Sequence, residues 1–181
     1  KKSIIKFSTD NQLKITINLI SDSSDKKFDD CISRLLNDPL IKINFIISKI
    51  KGNRGSYLEC CDQAKNSTDL IFFIEDDYIF EENCIEEMIF TYARMSTIFK
   101  NDVFLCPSDY PFFYDSSYKT SLYIGKKHKW RTVEESLLTF MMSKELFNKY
   151  EKNIKLVGEK ENDPFEKPLH EIYKQVNCLA P

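Results

Sequence analysis

Three consecutive carboxylates, Glu75, Asp76 and Asp77, follow directly on the apolar segment 70–74. Negative charges this close repel one another, and partial burial strengthens the repulsion. A hard divalent cation would relieve it, and Mg²⁺ in proteins commonly takes one or two carboxylates together with substrate phosphates. Residues i and i+2 of an extended chain face the same side, so Glu75 and Asp77 are the expected ligands of Mn²⁺ or Mg²⁺. The alternative is a solvated turn whose acids cap the next helix.

The elements around this acidic triplet determine whether it can meet a ligand. Segment 69–75 (DLIFFIE) predicts a short apolar strand of the kind buried on both faces in parallel sheets. Strands are also predicted at 13–20 and 40–48, with a helix between them through Phe28 and Ile32. In open α/β sheets, ligands bind beyond the carboxyl ends of the strands, and the triplet occupies that position.

The rest of the chain continues the alternation of strands and helices. Apolar periodicity predicts helices at 57–66, 82–99, 144–150 and 165–176, and strands at 103–106, 120–124 and 136–142. Residues 125–135 are expected to be a connection. Alternating elements favour βαβ units with right-handed crossovers. The expected fold class is therefore α/β, with a mostly parallel central sheet flanked by helices.

Composition limits the functional classes. The 181 residues fit one domain, and because the chain begins with Lys1 we expect residues to be missing at one or both ends. A net charge of −2 argues against a nucleic-acid partner. No segment approaches the ~20 apolar residues that span a bilayer, so no transmembrane segment is expected. Six cysteines without a C-x-x-C pair predict reduced thiols in a cytoplasmic protein.

The segment 52–82 resembles the front half of GT-A glycosyltransferases, especially the inverting group called family 2. In these enzymes a loop with Asn and Gly opens a helix, and the chain then runs through an apolar strand into an Asp-x-Asp motif. Here Glu75 replaces the first Asp of that motif. The resemblance implies a GT-A fold over the single domain 1–181. It assigns nucleotide-sugar binding to Asn53, Arg54, Gly55, Ser56, Glu75 and Asp76, and metal binding to Asp77 and Glu75.

Later segments extend the resemblance. Residues 129–132 (KWRT), followed by 138–140 (LTF), are similar to the acceptor-side pattern H-W-R-T and T-F of small GT-A enzymes. This similarity implies an acceptor site with Trp130 and Arg131, to which nearby Glu134 is added. Residues 161–166 (ENDPFE) resemble the acidic motif that supplies the catalytic base, which makes Asp163 the expected base, with Glu134 and Glu135 as the alternatives. Asn162 stands where many members have Glu.

Several of these side chains have a structural alternative. Asp22, at the end of the first strand, could accept a hydrogen bond from the nucleotide base or cap the next helix. Arg54 could pair with a phosphate through its fork of donors or be freely solvated. Trp130 could be an acceptor platform or a core residue. Asp163 could be the base or a helix cap.

The resemblance implies one inverting displacement, in which a sugar moves from a UDP- or GDP-sugar to a hydroxyl of a glycan, lipid or protein acceptor. Many GT-A proteins add a C-terminal His as a metal ligand, whereas this chain has only His128 and His170. A nucleotidyltransferase is the alternative enzyme, but no Gly precedes Gly52 to form its phosphate-binding loop. A non-catalytic GT-A-like domain that binds sugar nucleotides is the other alternative.

Overall fold

The computed structural model describes residue 4 and residues 13–23, 25–114 and 119–181. The strands in these ranges are β1 (Ile15–Ser21), β2 (Ile41–Ile47), β3 (Leu70–Phe73), β4 (Phe104–Leu105), β5 (Leu122–Ile124), β6 (Lys129–Val133), β7 (Phe140–Ser143) and β8 (Cys178–Ala180). The α-helices are α1 (Lys26–Leu35), α2 (Asn53–Ala64), α3 (Cys84–Phe99), α4 (Lys144–Glu159) and α5 (Lys167–Tyr173). The α/β class predicted from the sequence is confirmed.

The first three elements form a β-α-β unit. Strands β1 and β2 pair in parallel from Ile15 opposite Ile41 to Ser21 opposite Ile47. Asp25 begins α1 by accepting a hydrogen bond from the Phe28 N–H at 2.7 Å. A side-chain cap of this kind satisfies one of the free N–H groups in the first turn of a helix. The two strands and the helix predicted for this part of the sequence are thus present.

The expectation of a mostly parallel central sheet is wrong. The larger sheet has six strands in the order β3-β7-β4-β8-β6-β5, and only β4 and β8 are parallel neighbours. Strand β7 lies antiparallel between β3 and β4, and β5 and β6 form an antiparallel hairpin. Two of these strands were missed in the sequence: β6 lies in a segment predicted as a connection, and β8 has only three residues.

Both faces of the six-stranded sheet are covered. Ile71, Phe73 and Phe140 pack with apolar residues of α2, α4 and α5 on one face. Alternate residues such as Leu105 and Met141 pack against α3 on the other face. Successive side chains of a strand point to opposite faces, which accounts for the nearly continuous apolar sequence of β3. Strand β3 is buried on the face of Ile71 and Phe73 and partly buried on the face of Leu70 and Phe72, and it lies at the edge of the sheet beside an antiparallel neighbour.

Strand directions define one functional edge of this sheet. Strands β3 and β4 run the same way because both are antiparallel to β7, and β5 and β8 share that direction. We call the edge where β3, β4, β5 and β8 end, and where β6 and β7 begin, the carboxyl rim. The acidic triplet follows β3 and therefore lies at this rim.

In the part of the chain that the structure describes, no helix is both long and apolar enough to cross a membrane.

Candidate functional site

Glu75 is held at the carboxyl rim by the strand next to β3. The β3–β7 register pairs Phe73 with Phe140, so the residues after Phe73 lie beside those that precede Phe140. The backbone N–H of Glu75 donates to Thr139 Oγ1 at 3.0 Å, and the Thr139 hydroxyl lies 3.4 Å from Glu75 Oε2. Thr139 is buried. A half-buried carboxylate is thus fixed in place by tertiary hydrogen bonds.

Excess negative charge surrounds Glu75. Burial raises the pKa of this carboxyl, and the negative charges of Asp77 and Glu166 raise it further. Hydrogen bonds from Thr139 and the Leu138 backbone lower the pKa but do not cancel these effects. Asp76 and Asp77 occupy the turn after the strand and are exposed. The arrangement therefore combines one anchored acid with a flanking acid that is free to meet a ligand from solvent.

These acids fit a divalent cation that binds together with a phosphate ligand. Among the residues with described positions, no three His, Cys, Asp or Glu side chains form a ready metal-binding group. Mg²⁺ usually retains waters and uses one or two carboxylates plus substrate phosphates, so a three-ligand protein cage is not required. Carboxylate oxygens are the right donors, and the raised pKa of Glu75 reflects a charge that a cation would offset. Glu75 and Asp77 are the residues that would hold the metal.

Asp22 connects the first strand to the loop before α2. Its carboxylate accepts the Gly52 N–H at 2.7 Å and the Ser56 hydroxyl at 3.2 Å. Gly52 is the N-cap position of α2 and carries no capping side chain of its own, so Asp22 caps that helix from 30 residues away in sequence. The structure therefore favours the capping alternative for Asp22. The helix that Asp22 caps is α2 and not the next helix in the chain, α1, which is capped by Asp25. Asn53 begins α2 at this same junction.

Arg54 and Gly55 have structural partners. Arg54 Nε donates to the Gly158 carbonyl at 2.9 Å, near the C-terminal end of α4, where a cation is favoured by the helix dipole. A Cβ on Gly55 would lie 1.9 Å from the carbonyl oxygen of Ile50. Only glycine fits this close approach of two backbone segments. Arg54 is thus partly engaged in packing α2 against α4, and Gly55 allows the loop to close.

Tyr57 joins the α2 junction to the acids at the rim. Its ring packs edge-on against Phe73, the last residue of β3, with centroids 5.8 Å apart. Its hydroxyl donates to the Ile154 carbonyl at 3.1 Å. The negative charge of Glu166 raises the pKa of both Tyr57 and Glu75. Glu166 is therefore the functional candidate that the sequence did not identify, although it ends the acidic segment 161–166.

Asp163 has no contact with these acids among the described residues. It is exposed, and it has no hydrogen bond or ion pair with the other described residues. Asp163 is also not the cap of a helix, because α5 begins at Lys167 and its N-cap residue is Glu166. The adjacent Asn162 donates to the carbonyls of Leu156 and Lys160 and so closes the end of α4. Asn162 thus has a structural role at the position where the family motif often has an acid.

Trp130 is buried and has no ring face available to an acceptor. It is 1% exposed, and its indole N–H donates to Glu87 Oε1 at 2.9 Å. The Glu87 carboxylate is itself 5% exposed and accepts the backbone N–H groups of Lys126, Lys127 and His128 at 3.0, 2.7 and 3.3 Å. The structure therefore favours the core-packing alternative for Trp130, because the ring contributes a donor to a buried polar network.

The remaining acceptor candidates, Arg131 and Glu134, have contacts other than the acidic triplet. Arg131 stacks its guanidinium over Tyr114, 4.0 Å from the ring centroid. Glu134 follows the C-terminal end of β6, which is the end away from the carboxyl rim. Glu134 lines a small open pocket together with Phe113, Thr120, Thr132, Val133 and Glu135. No hydrogen bond or ion pair within the described ranges joins Arg131 or Glu134 to the acidic triplet.

The two histidines also have partners other than the triplet. His170 Nε2 lies 3.1 Å from the Ser136 carbonyl oxygen. His128 Nε2 lies 3.6 Å from a Glu81 carboxylate oxygen. The described part of the chain therefore offers carboxylates at the rim and shows no histidine joined to them.

The chain matches no known protein-family model, no curated protein and no solved structure.

Proposed function

We propose that this protein is a GT-A-type glycosyltransferase that moves a sugar from a nucleoside-diphosphate sugar to an acceptor hydroxyl with inversion, dependent on Mn²⁺ or Mg²⁺. The observation that carries the proposal is the acidic cluster at the carboxyl rim. Glu75 is anchored there by Thr139, and Asp77 and Glu166 place further negative charge around it. A cation shared with a diphosphate would neutralise the cluster.

The proposed division of roles follows the geometry. Glu75 and Asp77 would hold the metal, which would neutralise charge on the leaving diphosphate. The exposed Asp76 would bind the ribose, and Asn53 and Ser56 lie at the junction that Asp22 organises. A carboxylate takes the proton of the acceptor hydroxyl. The hydroxyl oxygen attacks the anomeric carbon of the sugar, and the bond between that carbon and the diphosphate breaks. We include a cytoplasmic location in the proposal. All six cysteines are free thiols, which is usual for proteins of that compartment.

Nucleotide binding tests the proposal directly. We expect UDP or GDP to raise the melting temperature in the presence of Mn²⁺, and a smaller rise or none without the metal, because the diphosphate and the acids share one cation. A scan with UDP, GDP and CDP, each with and without Mn²⁺, measures this. Absence of any shift with every nucleotide–metal pair would contradict the proposal. Binding without product formation from sugar nucleotides would instead identify a non-catalytic domain.

The catalytic base can be assigned by comparing two isosteric variants. The charge of Glu166 raises the pKa of Glu75, whereas Asp163 is exposed and has no contact with Glu75 among the described residues. A general base contributes a factor of about 100 or more, so we expect Glu166→Gln to lower the transfer rate by that factor while nucleotide binding persists. Asp163→Asn is the matched comparison and should retain most of the activity. The reverse ranking in a transfer assay would restore Asp163 as the base.

A further inference from the structure

Residues 119–131 carry a charge opposite to that of the chain. This segment contains five Lys or Arg residues and no Asp or Glu, whereas the whole protein has a net charge of −2. Within the described ranges, Lys126 pairs with Glu86, while Lys127 and Lys129 form no ion pair. We call the segment the basic hairpin, since it comprises β5, the turn and most of β6. Its charge is concentrated at the free edge of the six-stranded sheet.

The outer face of the basic hairpin combines aliphatic and cationic side chains. The β5–β6 register pairs Leu122 with Arg131 and Ile124 with Lys129, so these four residues share one face. Leu122 is 65% exposed and Ile124 is 55% exposed. Tyr123 points to the other face, where it packs edge-on against Phe99 at 5.0 Å. Both aliphatic side chains thus project from the sheet edge without covering from the described residues.

The turn of the basic hairpin is rigidly held. The buried Glu87 carboxylate accepts three successive backbone N–H groups of the turn and the indole N–H of Trp130. A Cβ on Gly125 would lie 2.3 Å from Glu87 Oε1, so the turn packs tightly on the carboxylate. The exposed side chains are therefore presented in a fixed arrangement, which reduces the entropy lost on binding a partner.

We propose that the basic hairpin docks on the surface of an anionic phospholipid bilayer. Aliphatic side chains beside Lys and Arg suit the boundary between acyl chains and negative headgroups, where burial of apolar area and electrostatic attraction add. Tyr114, stacked on Arg131 and 62% exposed, adds an aromatic ring that favours the same boundary. The complementary charge identifies the partner as anionic, and the aliphatic pair identifies it as a surface with an apolar interior.

Other partners fit this face less well. A second copy pairing along β5 would bring two groups of uncompensated lysines together, and like charges across an interface are unfavourable. A nucleic acid would satisfy the cations, but Leu122 and Ile124 would gain nothing from a phosphate backbone. The bilayer accounts for both the charge and the exposed aliphatic side chains.

Docking would also orient the candidate site. The turn of the basic hairpin lies at the carboxyl rim, and the 3.6 Å contact between His128 Nε2 and a Glu81 carboxylate oxygen brings the loop after the acidic triplet to this turn. Strands β3 and β5 are five strand spacings apart, or about 24 Å. Binding through the hairpin would therefore fix the direction in which this rim, and the candidate site on it, faces. The inference does not depend on the proposed function.

Vesicle co-sedimentation tests the proposal. We expect the full chain to bind vesicles of phosphatidylcholine with phosphatidylserine, to bind vesicles of phosphatidylcholine alone weakly, and to dissociate as salt rises. Lys127→Glu with Lys129→Glu should weaken binding by about 30-fold or more, because each basic residue near an anionic surface contributes a factor of about five. Leu122→Ser with Ile124→Ser should weaken binding on the order of tenfold through lost apolar burial.

Matched variants elsewhere make the result specific. Ile47, 62% exposed at the end of β2, and Lys152, exposed on α4, provide Ile47→Ser and Lys152→Glu as controls that should bind like the wild type. Circular dichroism establishes that each variant is folded, and the salt dependence of the wild type tests the charge contribution without any substitution. Failure of the wild type to bind anionic vesicles overturns the proposal, as does equal binding to neutral vesicles. Preference for an oligonucleotide, or a dimer that the Leu122 and Ile124 substitutions dissociate, overturns it too.

Discussion

Replacing Asp77 with Ala is expected to abolish the Mn²⁺-dependent rise in melting temperature with nucleoside diphosphate and to slow sugar transfer by about 10³-fold or more. Asp77 is exposed in the turn after β3, and its charge acts on the half-buried Glu75. Without it, one anchored carboxylate would have to retain the cation alone. Thermal shift and single-turnover transfer measurements report the two losses separately.

A control in the same loop distinguishes metal binding from general charge. Glu82 is also an exposed carboxylate and follows the triplet by a few residues. We expect Glu82→Ala to keep the metal-dependent shift. Because Asp77 is exposed, its removal should change the free energy of unfolding of the apo-protein by no more than about 0.5 kcal/mol. An unaltered Mn²⁺-dependent shift in Asp77→Ala would remove this residue from the metal site.

Replacing Glu87 with Ala is expected to lower the free energy of unfolding by about 3–5 kcal/mol. The Trp130 indole and the backbone N–H groups of the hairpin turn all donate to this carboxylate. Removing the acceptor leaves the buried indole N–H of Trp130 and three partly buried backbone N–H groups unpaired, and a fully buried unpaired donor costs about 1–3 kcal/mol. Urea denaturation, followed by fluorescence of the single tryptophan, measures the change.

The contribution of Glu87 also predicts a pH dependence. Burial raises the pKa of this carboxyl, but the hydrogen bonds from Trp130 and from the backbone of the turn outweigh burial, so the pKa lies below its ordinary value. The stability that the carboxylate contributes is therefore present above the unfolded-state pKa of about 4.3 and is lost as the pH falls through the folded-state pKa. The difference in stability between wild type and Glu87→Ala should be largest near neutral pH and should shrink on acidification.

Glu86, the preceding residue on α3, provides the matched control. It forms a partly exposed ion pair with Lys126, and pairs of this kind contribute about 0–1 kcal/mol. Glu86→Ala should therefore cost far less than Glu87→Ala. Equal costs for the two substitutions would show that the buried network contributes little to stability.

Local patterns predicted most elements of the fold. The β-branched segments became β1 and β2, and the apolar run before the triplet became β3, because side-chain periodicity reflects contacts within one element. The observed ends of an element differ from the predicted ones where a tertiary contact determines the end. For example, α2 starts at Asn53 and not at Tyr57, since Asp22 caps it from the end of β1.

Strand pairing could not be predicted in the same way. Strand β8 has three residues and β4 has two, which is too few for a recognisable period. The position of β7 between β3 and β4 depends on pairing between residues about 70 positions apart, such as Phe73 and Phe140. The expectation of parallel strands followed from the βαβ order and was wrong for the larger sheet for this reason.

The amino-acid sequence alone placed three acids directly after a buried strand, because that arrangement is contiguous in the chain. Only the tertiary structure exposed Glu75 to the charge of Glu166, made Asp22 the cap of α2, and paired Trp130 with Glu87 across 43 residues. The physical reason is that burial and hydrogen-bond partners depend on which distant segments pack together. The residue type determines which functional group a side chain carries. The fold determines whether that group faces a ligand or another part of the protein.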